Sequence, residues 1–372
     1  MKKKILMVVG KFYPEISGGN LQCKKIIDEL KNNYKFKILT FSKKKIESKA
    51  DIQNYDITRI RVGNNYFDKI FRIVNIVKFF FDKKKEFSIV HIFGVSKVNM
   101  LIIFLAKIFN KKIIVRFSSY GEDDLKTINN TSKMNFVFHK YLTNILISIA
   151  PIFFKSCKEL DVSNKKLKLI KNFLLINKKN VNKKKKLEIQ NNFKNVLCIG
   201  HFSKDKRNDL AFEIWKESYL KGFKSNIIFV GNSSIYNHEV DQQIKKKILY
   251  EVKKFKLTNN VYFIEFENKM DEIYKNSDIL LMPSIREGVP NSLLEALHFG
   301  LDCICTKLPS IKNFLNFDNL SYIDMHEKKL IWSKELIKQL KKKKKKKINR
   351  LVSLKFNNKE IKKEYYHLYK NL

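Results

Sequence analysis

Short apolar runs alternate along the chain with stretches whose apolar residues recur every three or four positions. Ile5–Val9, Phe36–Phe41, Ile89–Phe93 and Lys112–Phe117 are near-continuous apolar runs of strand length. Leu21–Leu30 has a helical face through Ile26, Ile27 and Leu30, and Leu101–Phe109 is an apolar helix candidate. Strands apolar at nearly every position suit a sheet covered on both faces. Strand, helix, strand of this kind predicts parallel βαβ units.

The alternation stops over Asn177–Lys194, a Lys- and Asn-rich stretch with little apolar periodicity, which reads as a linker. It restarts with strands Val196–Ile199, Ile227–Val230, Val261–Ile264, Ile279–Met282 and Cys303–Cys305. The helices between them are expected after Lys206 and over Val240–Lys254, Glu272–Lys275 and Leu293–Phe299. The run Lys341–Lys347 closes this half, and a last helix is expected over Asn358–Tyr369. The organisation is therefore 1–176, a linker 177–194, a second domain 195–350, and a helical segment 351–372 with the first domain as a surface to pack back on. Parallel sheets bind ligands beyond the carboxyl ends of their strands, at helix N-termini, so chemistry belongs in the loops that follow strands.

Length fits this division: at about 150 residues per domain, 372 residues make two to three domains. With 44% hydrophobic residues the chain is not wholly disordered. Five cysteines, none in C-x-x-C, are too few for a disulfide scaffold. Cys303 and Cys305 read as buried strand positions, and a reducing, cytoplasmic setting follows. Ile5–Val9 is too short for a signal-peptide core, and no apolar run reaches the ~18 residues of a membrane span.

Charge complicates the picture. Lys+Arg number 76 against 36 Asp+Glu, a formal net charge of +40, yet only seven of the basic residues are Arg. Lys, Asn, Ile and Phe share AT-rich codons, so genome composition accounts for much of the excess. A nucleic-acid reader would use Arg forks, and no helix-turn-helix, zinc spacing or stacking aromatic motif accompanies the charge. A basic nucleic-acid-binding protein remains the non-enzyme alternative. An anionic membrane surface is another candidate partner, met by lysines with the apolar groups near Phe71–Phe81 and Ile102–Phe109. Packing of those segments as ordinary core helices is the plain alternative.

The most informative segment is Pro283-Ser284-Ile285-Arg286-Glu287-Gly288-Val289-Pro290-Asn291-Ser292-Leu293-Leu294-Glu295, which follows a strand and opens a helix. Gly288 permits close backbone approach to a ligand. The N–H groups near Asn291 to Leu293, at the positive end of the helix, suit phosphate oxygens. Glu287 is placed to face a sugar, and Glu295, in the first helical turn, to accept from ribose hydroxyls. The bland alternative is that Ser292-x-x-Glu295 is a capping box.

Two Glu eight positions apart, with Gly and Pro-Asn between, resemble the E-x7-E signature of family 4 glycosyltransferases (glycosyl transferases group 1) of the GT-B fold. Tyr274-x-x-Ser277-Asp278-Ile279 before it and Ala296-Leu297-x-x-Gly300 after it fit as well. The resemblance implies an α/β chain of two Rossmann-like doubly wound domains facing across a cleft, acceptor domain first and donor domain second. It implies transfer of a sugar from a UDP- or GDP-sugar with retention, with no metal or other cofactor. The acceptor would be a glycan or lipid-linked hydroxyl, in cell-surface polysaccharide or lipopolysaccharide synthesis at the cytoplasmic side of a membrane.

Residue by residue, the resemblance makes Lys206 and Glu287 catalytic. To the donor it assigns Gly18 and Gly19 of the loop after the first strand, Gly200, His201 and Arg207 of the loop after Val196–Ile199, Phe266, and Gly288 to Leu293 (Val289, Pro290, Asn291 and Ser292 included) with Glu295. The acceptor side receives His91, Ser118 and Ser119. Four places depart from the family pattern. His201 stands where an Arg grips pyrophosphate, with Lys204 or Arg207 as substitutes. Ser118-Ser119-Tyr120-Gly121 stands where many relatives carry a His. Thr306-Lys307-Leu308-Pro309-Ser310 replaces a common Gly-Gly, and Asn313 stands near a usual acid. Enzyme alternatives are a GT-B sugar-nucleotide epimerase and a metal-dependent GT-A transferase using Glu122-Asp123-Asp124.

Overall fold

The computed structural model describes the chain except residues 1, 14, 16, 43–54, 64, 177–188, 190–192, 232–239, 265–269 and 344–346. Two compact units emerge: Met1–Leu175 with Phe356–Leu372, and Ile176–Lys355. Most of the expected linker, and Phe266, lie outside the described residues.

Unit 1 contains β1 (Lys4–Val9), α1 (Gly18–Leu30), β2 (Lys35–Ser42), β3 (Asp56–Arg61), α2 (Tyr66–Lys83), β4 (Ile89–Phe93), α3 (Lys97–Ile108), β5 (Lys112–Arg116), α4 (Leu125–Thr131), α5 (Lys133–Val137), β6 (Ile145–Ser148), α6 (Pro151–Lys158) and β7 (Leu167–Leu169). Its seven strands lie in the order β3-β2-β1-β4-β5-β6-β7, all pairs parallel. Unit 2 contains β8 (Lys194–Ile199), α7 (Asn208–Leu220), β9 (Ser225–Val230), α8 (Gln242–Lys254), β10 (Val261–Ile264), α9 (Met270–Lys275), β11 (Ile279–Met282), α10 (Asn291–His298), β12 (Asp302–Thr306), α11 (Pro309–Lys312), β13 (Leu320–Ile323), α12 (Lys329–Lys341) and α13 (Arg350–Lys355). Its sheet runs β10-β9-β8-β11-β12-β13, again parallel. The closing helix α14 (Asn358–Asn371) belongs to unit 1.

The apolar runs are strands because both faces are covered. Ile5, Leu6 and Met7 of β1 have no exposed surface, and β4 and β9 are buried throughout. All five cysteines are buried and free, Cys303 and Cys305 within β12. Strands β3, β6, β7 and β13 escaped the sequence reading because they are short, or mostly polar, as in Asp56–Arg61.

In unit 1, α14 joins the core through Ile361, Tyr365, Leu368 and Tyr369, beside Ile26, Ile27 and Leu30 of α1. In unit 2, Trp215 of α7 and Trp332 of α12 are fully buried, and the Trp215 indole N–H donates to Ser225 Oγ at 3.0 Å. Each sheet reverses its strand order once, between β1 and β4 and between β8 and β11. Loops leaving adjacent strands at such a switch point diverge and leave a crevice. The loops 200–207 and 283–290 leave β8 and β11, so the topology sets them on the two sides of this crevice. Among the described residues no helix is long and apolar enough to cross a membrane.

Candidate functional site

The loop after β8 begins at Gly200, whose φ of +145° disfavours a side chain. A Cβ there would meet Lys206 Cγ at 3.1 Å and Cδ at 3.2 Å, so the missing side chain gives the Lys206 stem its path. A Cβ on Gly231, after β9, would lie 2.0 Å from the Gly200 carbonyl oxygen. Two glycines thus let two strand ends meet beneath the loop. Lys206 and Arg207 both donate backbone N–H to the Ser203 carbonyl, at 3.2 and 3.1 Å, and Ser203 N donates to Asn208 Oδ1 at 3.3 Å. This coil aims Lys206 at the neighbouring loop.

There Lys206 Nζ meets Glu287 Oε1 at 2.5 Å, with the two side chains 23% and 12% exposed. One residue back in each loop, Arg286 Nη2 meets Asp205 Oδ2 at 2.6 Å. Ile285 N donates to the Asp205 carbonyl at 2.9 Å, and Ser310 Oγ to the Glu287 carbonyl at 2.8 Å. The two residues expected to be catalytic are therefore neighbours. Asp205, Arg286 and Ser310 brace them and escaped the sequence reading, since the charged partners stand 81 positions apart. An Asp-Lys dipeptide and an Arg-Glu dipeptide, each after a strand, were the available signal.

Helix α10 begins at Asn291 with Pro290 as its N-cap, and Pro290 supplies no side-chain cap. First-turn N–H groups have no acceptor within their own helix, so this end points donors and the positive dipole at the loop. The capping-box alternative does not hold: Ser292 lies inside the helix, not at its N-cap. Glu295 is correspondingly two positions deeper than expected, at the fifth helical position. It is 7% exposed and bonded to Tyr274, whose hydroxyl donates from the fully buried phenol. Burial pushes the Glu295 carboxyl up to about 8; the Tyr274 hydrogen bond pulls it down, and Asp271 adds to the rise.

The other donor-side candidates of unit 2 spread around this centre. Gly288, Val289 and Pro290 are buried, while Asn291 and Ser292 are half-buried. Leu293 is a core residue of α10. His201 is half-buried. Arg207 takes a left-handed φ of +51° as the N-cap of α7 and donates from Nη1 to the Met325 carbonyl at 3.3 Å.

Unit 1 holds the remaining candidates. Gly18 and Gly19 open α1 behind Ser17, which exchanges hydrogen bonds with Asn20: Asn20 N to Ser17 Oγ at 3.3 Å, Ser17 N to Asn20 Oδ1 at 3.0 Å. A Cβ on Gly19 would meet nothing within 4 Å, so the protein itself does not require glycine there.

His91 corrects the sequence expectation. It has no exposed surface, its Nδ1 lies 2.7 Å from Tyr369 Oη of α14, and its ring stacks on Phe93 at 4.7 Å. Burial, with nearby Arg116, holds the imidazole well below its usual pKa. It is a neutral core residue and offers an acceptor nothing.

Ser118 and Ser119 are half-buried and tied to Asp123. Ser118 Oγ donates to Asp123 Oδ2 at 2.5 Å and Ser119 N to Asp123 Oδ1 at 2.7 Å. Burial pushes Asp123 up to about 6 against these hydrogen bonds. Asp124 accepts from Gly121 N, Lys126 N, Thr127 N and Thr127 Oγ1, capping α4. Asp123 and Asp124 of the acidic triplet thus organise their own turn. Among the described residues no group of three or more His, Cys, Asp or Glu side chains comes together as a metal site.

Comparison with known proteins covers the same part of the chain. The model of the family Glycosyl transferases group 1 matches residues 179–319, the span that holds both loops and α10. The amylovoran biosynthesis glycosyltransferase AmsD of Erwinia amylovora is 28% identical over 109 residues, 29% of this chain and 28% of AmsD, so that match spans well under two thirds of the relative. The capsular polysaccharide biosynthesis glycosyltransferase CapH of Staphylococcus aureus is 26% identical over 298 residues, 78% of each chain. Among solved structures, Anabaena HepE in complex with UDP and glucose superposes with a TM-score of 0.72 over 100% of both chains at 14% identity, a shared fold.

Proposed function

We propose that this glycosyltransferase, a chain of two Rossmann-like units in the GT-B fold, moves a sugar from a nucleoside diphosphate donor to a glycan or lipid-linked hydroxyl in polysaccharide synthesis, with retention and without a bound metal. The observation that carries the proposal is the Lys206–Glu287 contact at the carboxyl ends of β8 and β11, beside the uncapped start of α10. The polysaccharide names of AmsD and CapH support the pathway.

Charge develops on the leaving diphosphate as the glycosidic bond breaks. Lys206 and the α10 N-terminus stabilise that charge where a divalent cation does so in other enzymes. The diphosphate takes Lys206 over from Glu287, which frees the carboxylate to orient the sugar. Glu295 keeps its bond from Tyr274 and has acceptor capacity left for ribose hydroxyls. The acceptor oxygen attacks the anomeric carbon on the face that the diphosphate leaves. The C–O bond to phosphate breaks, the new C–O bond forms, and the acceptor proton passes to the departing phosphate oxygen.

The test is product analysis. Purified protein in excess chelator is offered UDP- and GDP-sugars with a lipid-linked glycan acceptor, and the product linkage is read by NMR. A product with the donor's anomeric configuration supports the proposal. An inverted product, or activity that appears only when manganese is restored, contradicts it.

A further inference from the structure

Helix α2 is apolar on two sides. Ile76, Phe79 and Phe80 are buried against unit 1. A second row, Phe67, Ile70, Phe71, Val74 and Phe81, follows helical spacing and faces solvent, with Phe67 80%, Phe71 56%, Val74 55% and Phe81 54% exposed. A helix apolar all round is normally buried, and a contiguous exposed apolar row marks an interaction site. The sequence allowed these groups to be ordinary core; the structure puts half of them outside.

The row does not stand alone. Phe81 meets Phe109, just beyond α3, at 5.1 Å, and α3 itself exposes Phe104 and Ile108. Phe104 meets Phe138 at 6.5 Å, next to exposed Tyr141. Lysines edge this face. Lys78 is exposed within the α2 row and Lys107 on α3. Lys84 Nζ lies 5.3 Å from the Phe81 ring centre and 5.0 Å from that of Phe109, and Lys140 lies 5.1 Å from that of Tyr141. Their stems cover apolar surface while their charges remain at its edge.

We propose that the α2–α3 face of unit 1 docks the protein on an anionic lipid surface. Phe67, Phe71, Val74 and Phe81 enter the boundary between headgroups and acyl chains, and Lys78, Lys84, Lys107 and Lys140 meet lipid phosphates. Charge complementarity selects this occupant. A second copy would set one +40 chain against another. α2 carries two acidic residues, Asp68 and Asp82, and four basic ones, Lys69, Arg72, Lys78 and Lys83, so the helix itself is basic. With its charged residues α2 lies on the bilayer and does not span it. The proposal deepens the lipid-linked acceptor reading and rests on it for its purpose, not for its evidence.

The test is co-sedimentation of full-length protein with phosphatidylcholine vesicles, with and without phosphatidylglycerol. Wild type binds when phosphatidylglycerol is present, and added salt weakens the binding. Phe67→Ser/Phe71→Ser and Lys78→Glu/Lys107→Glu each bind about tenfold or more weakly. Leu351→Ser/Leu354→Ser, on exposed α13 of unit 2, binds as wild type. All variants keep the wild-type circular dichroism spectrum and turnover on a short soluble acceptor. Wild-type vesicle binding by both α2–α3 variants, indifference to anionic lipid, or an α2 variant that only converts a dimer to a monomer overturns the proposal. Vesicle binding as expected, with no transfer to any lipid-linked acceptor, would instead sink the acceptor reading and leave the docking face standing.

Discussion

Lys206 Nζ sits 2.5 Å from Glu287 Oε1, and one residue back in each loop Asp205 and Arg286 pair at 2.6 Å with the order of charges reversed. The cation proposed to hold a diphosphate and the carboxylate proposed to orient a sugar thus face each other before any ligand arrives. The neighbouring rung keeps the two loops in register.

The Asp205–Arg286 rung is more than one-third exposed on both sides and contributes little to stability. Its value lies in aiming Lys206. Asp205→Arg and Arg286→Asp are each expected to raise KM for the nucleotide sugar several-fold, while the double swap recovers most of the loss. The check is a kinetic double-mutant cycle. A swap no better than its worse single variant contradicts the aiming role.

Glu295 carries a proton in the folded protein at pH values where an unfolded chain has lost it, because burial lifts it to about 8. The raised carboxyl makes stability fall as pH rises from the ordinary glutamate range near 4.5 towards 8. Glu295→Gln removes that slope. Its melting temperature is expected to exceed wild type by several degrees at pH 8 and to match it near pH 5. Parallel melting curves across this range would show that burial does not control the carboxyl.

Gly19 occupies a helix position that no neighbour crowds. Alanine there is expected to stabilise the protein by about 0.5–1 kcal/mol through the unfolded state and helix propensity. On the proposed assignment of Gly19 to ligand binding, turnover is expected to fall at least tenfold, because the added methyl group takes up open space beside it. Thermal denaturation and transfer assays together check this. Higher stability with unchanged kinetics makes Gly19 an ordinary turn residue.

His91 makes the opposite prediction. His91→Gln loses packing on Phe93 and disturbs the bond to Tyr369, at a cost of about 1–3 kcal/mol. Per folded molecule, kcat and KM are expected to stay within about twofold of wild type. A large fall in kcat without loss of stability would return His91 to the chemistry.

The two parallel domains were legible because strands buried on both faces are apolar at nearly every position, as in Ile279–Met282 and Ile227–Val230. The two loops proposed to hold the donor were legible because Gly200, Gly288 and two glutamates follow such strands. Three features were not. Pro290 and Ser292 both suit a helix start, and only the backbone decides between them. His91 acquires its core partner from Tyr369, 278 positions away. Helix α2 is apolar on both sides, so periodicity alone cannot say which side faces out. In the last two cases the deciding contact lies far along the chain or is solvent itself.

The most direct test of the central claim is calorimetric titration of UDP and GDP into wild type and Lys206→Ala in the presence of chelator. Wild type is expected to bind one of the two nucleotides without metal, and Lys206→Ala to bind it about tenfold to a hundredfold more weakly, with an unchanged melting temperature in the absence of nucleotide. Equal affinity in the two proteins, or binding that requires a divalent cation, would contradict the assignment of Lys206 as the diphosphate's resident cation.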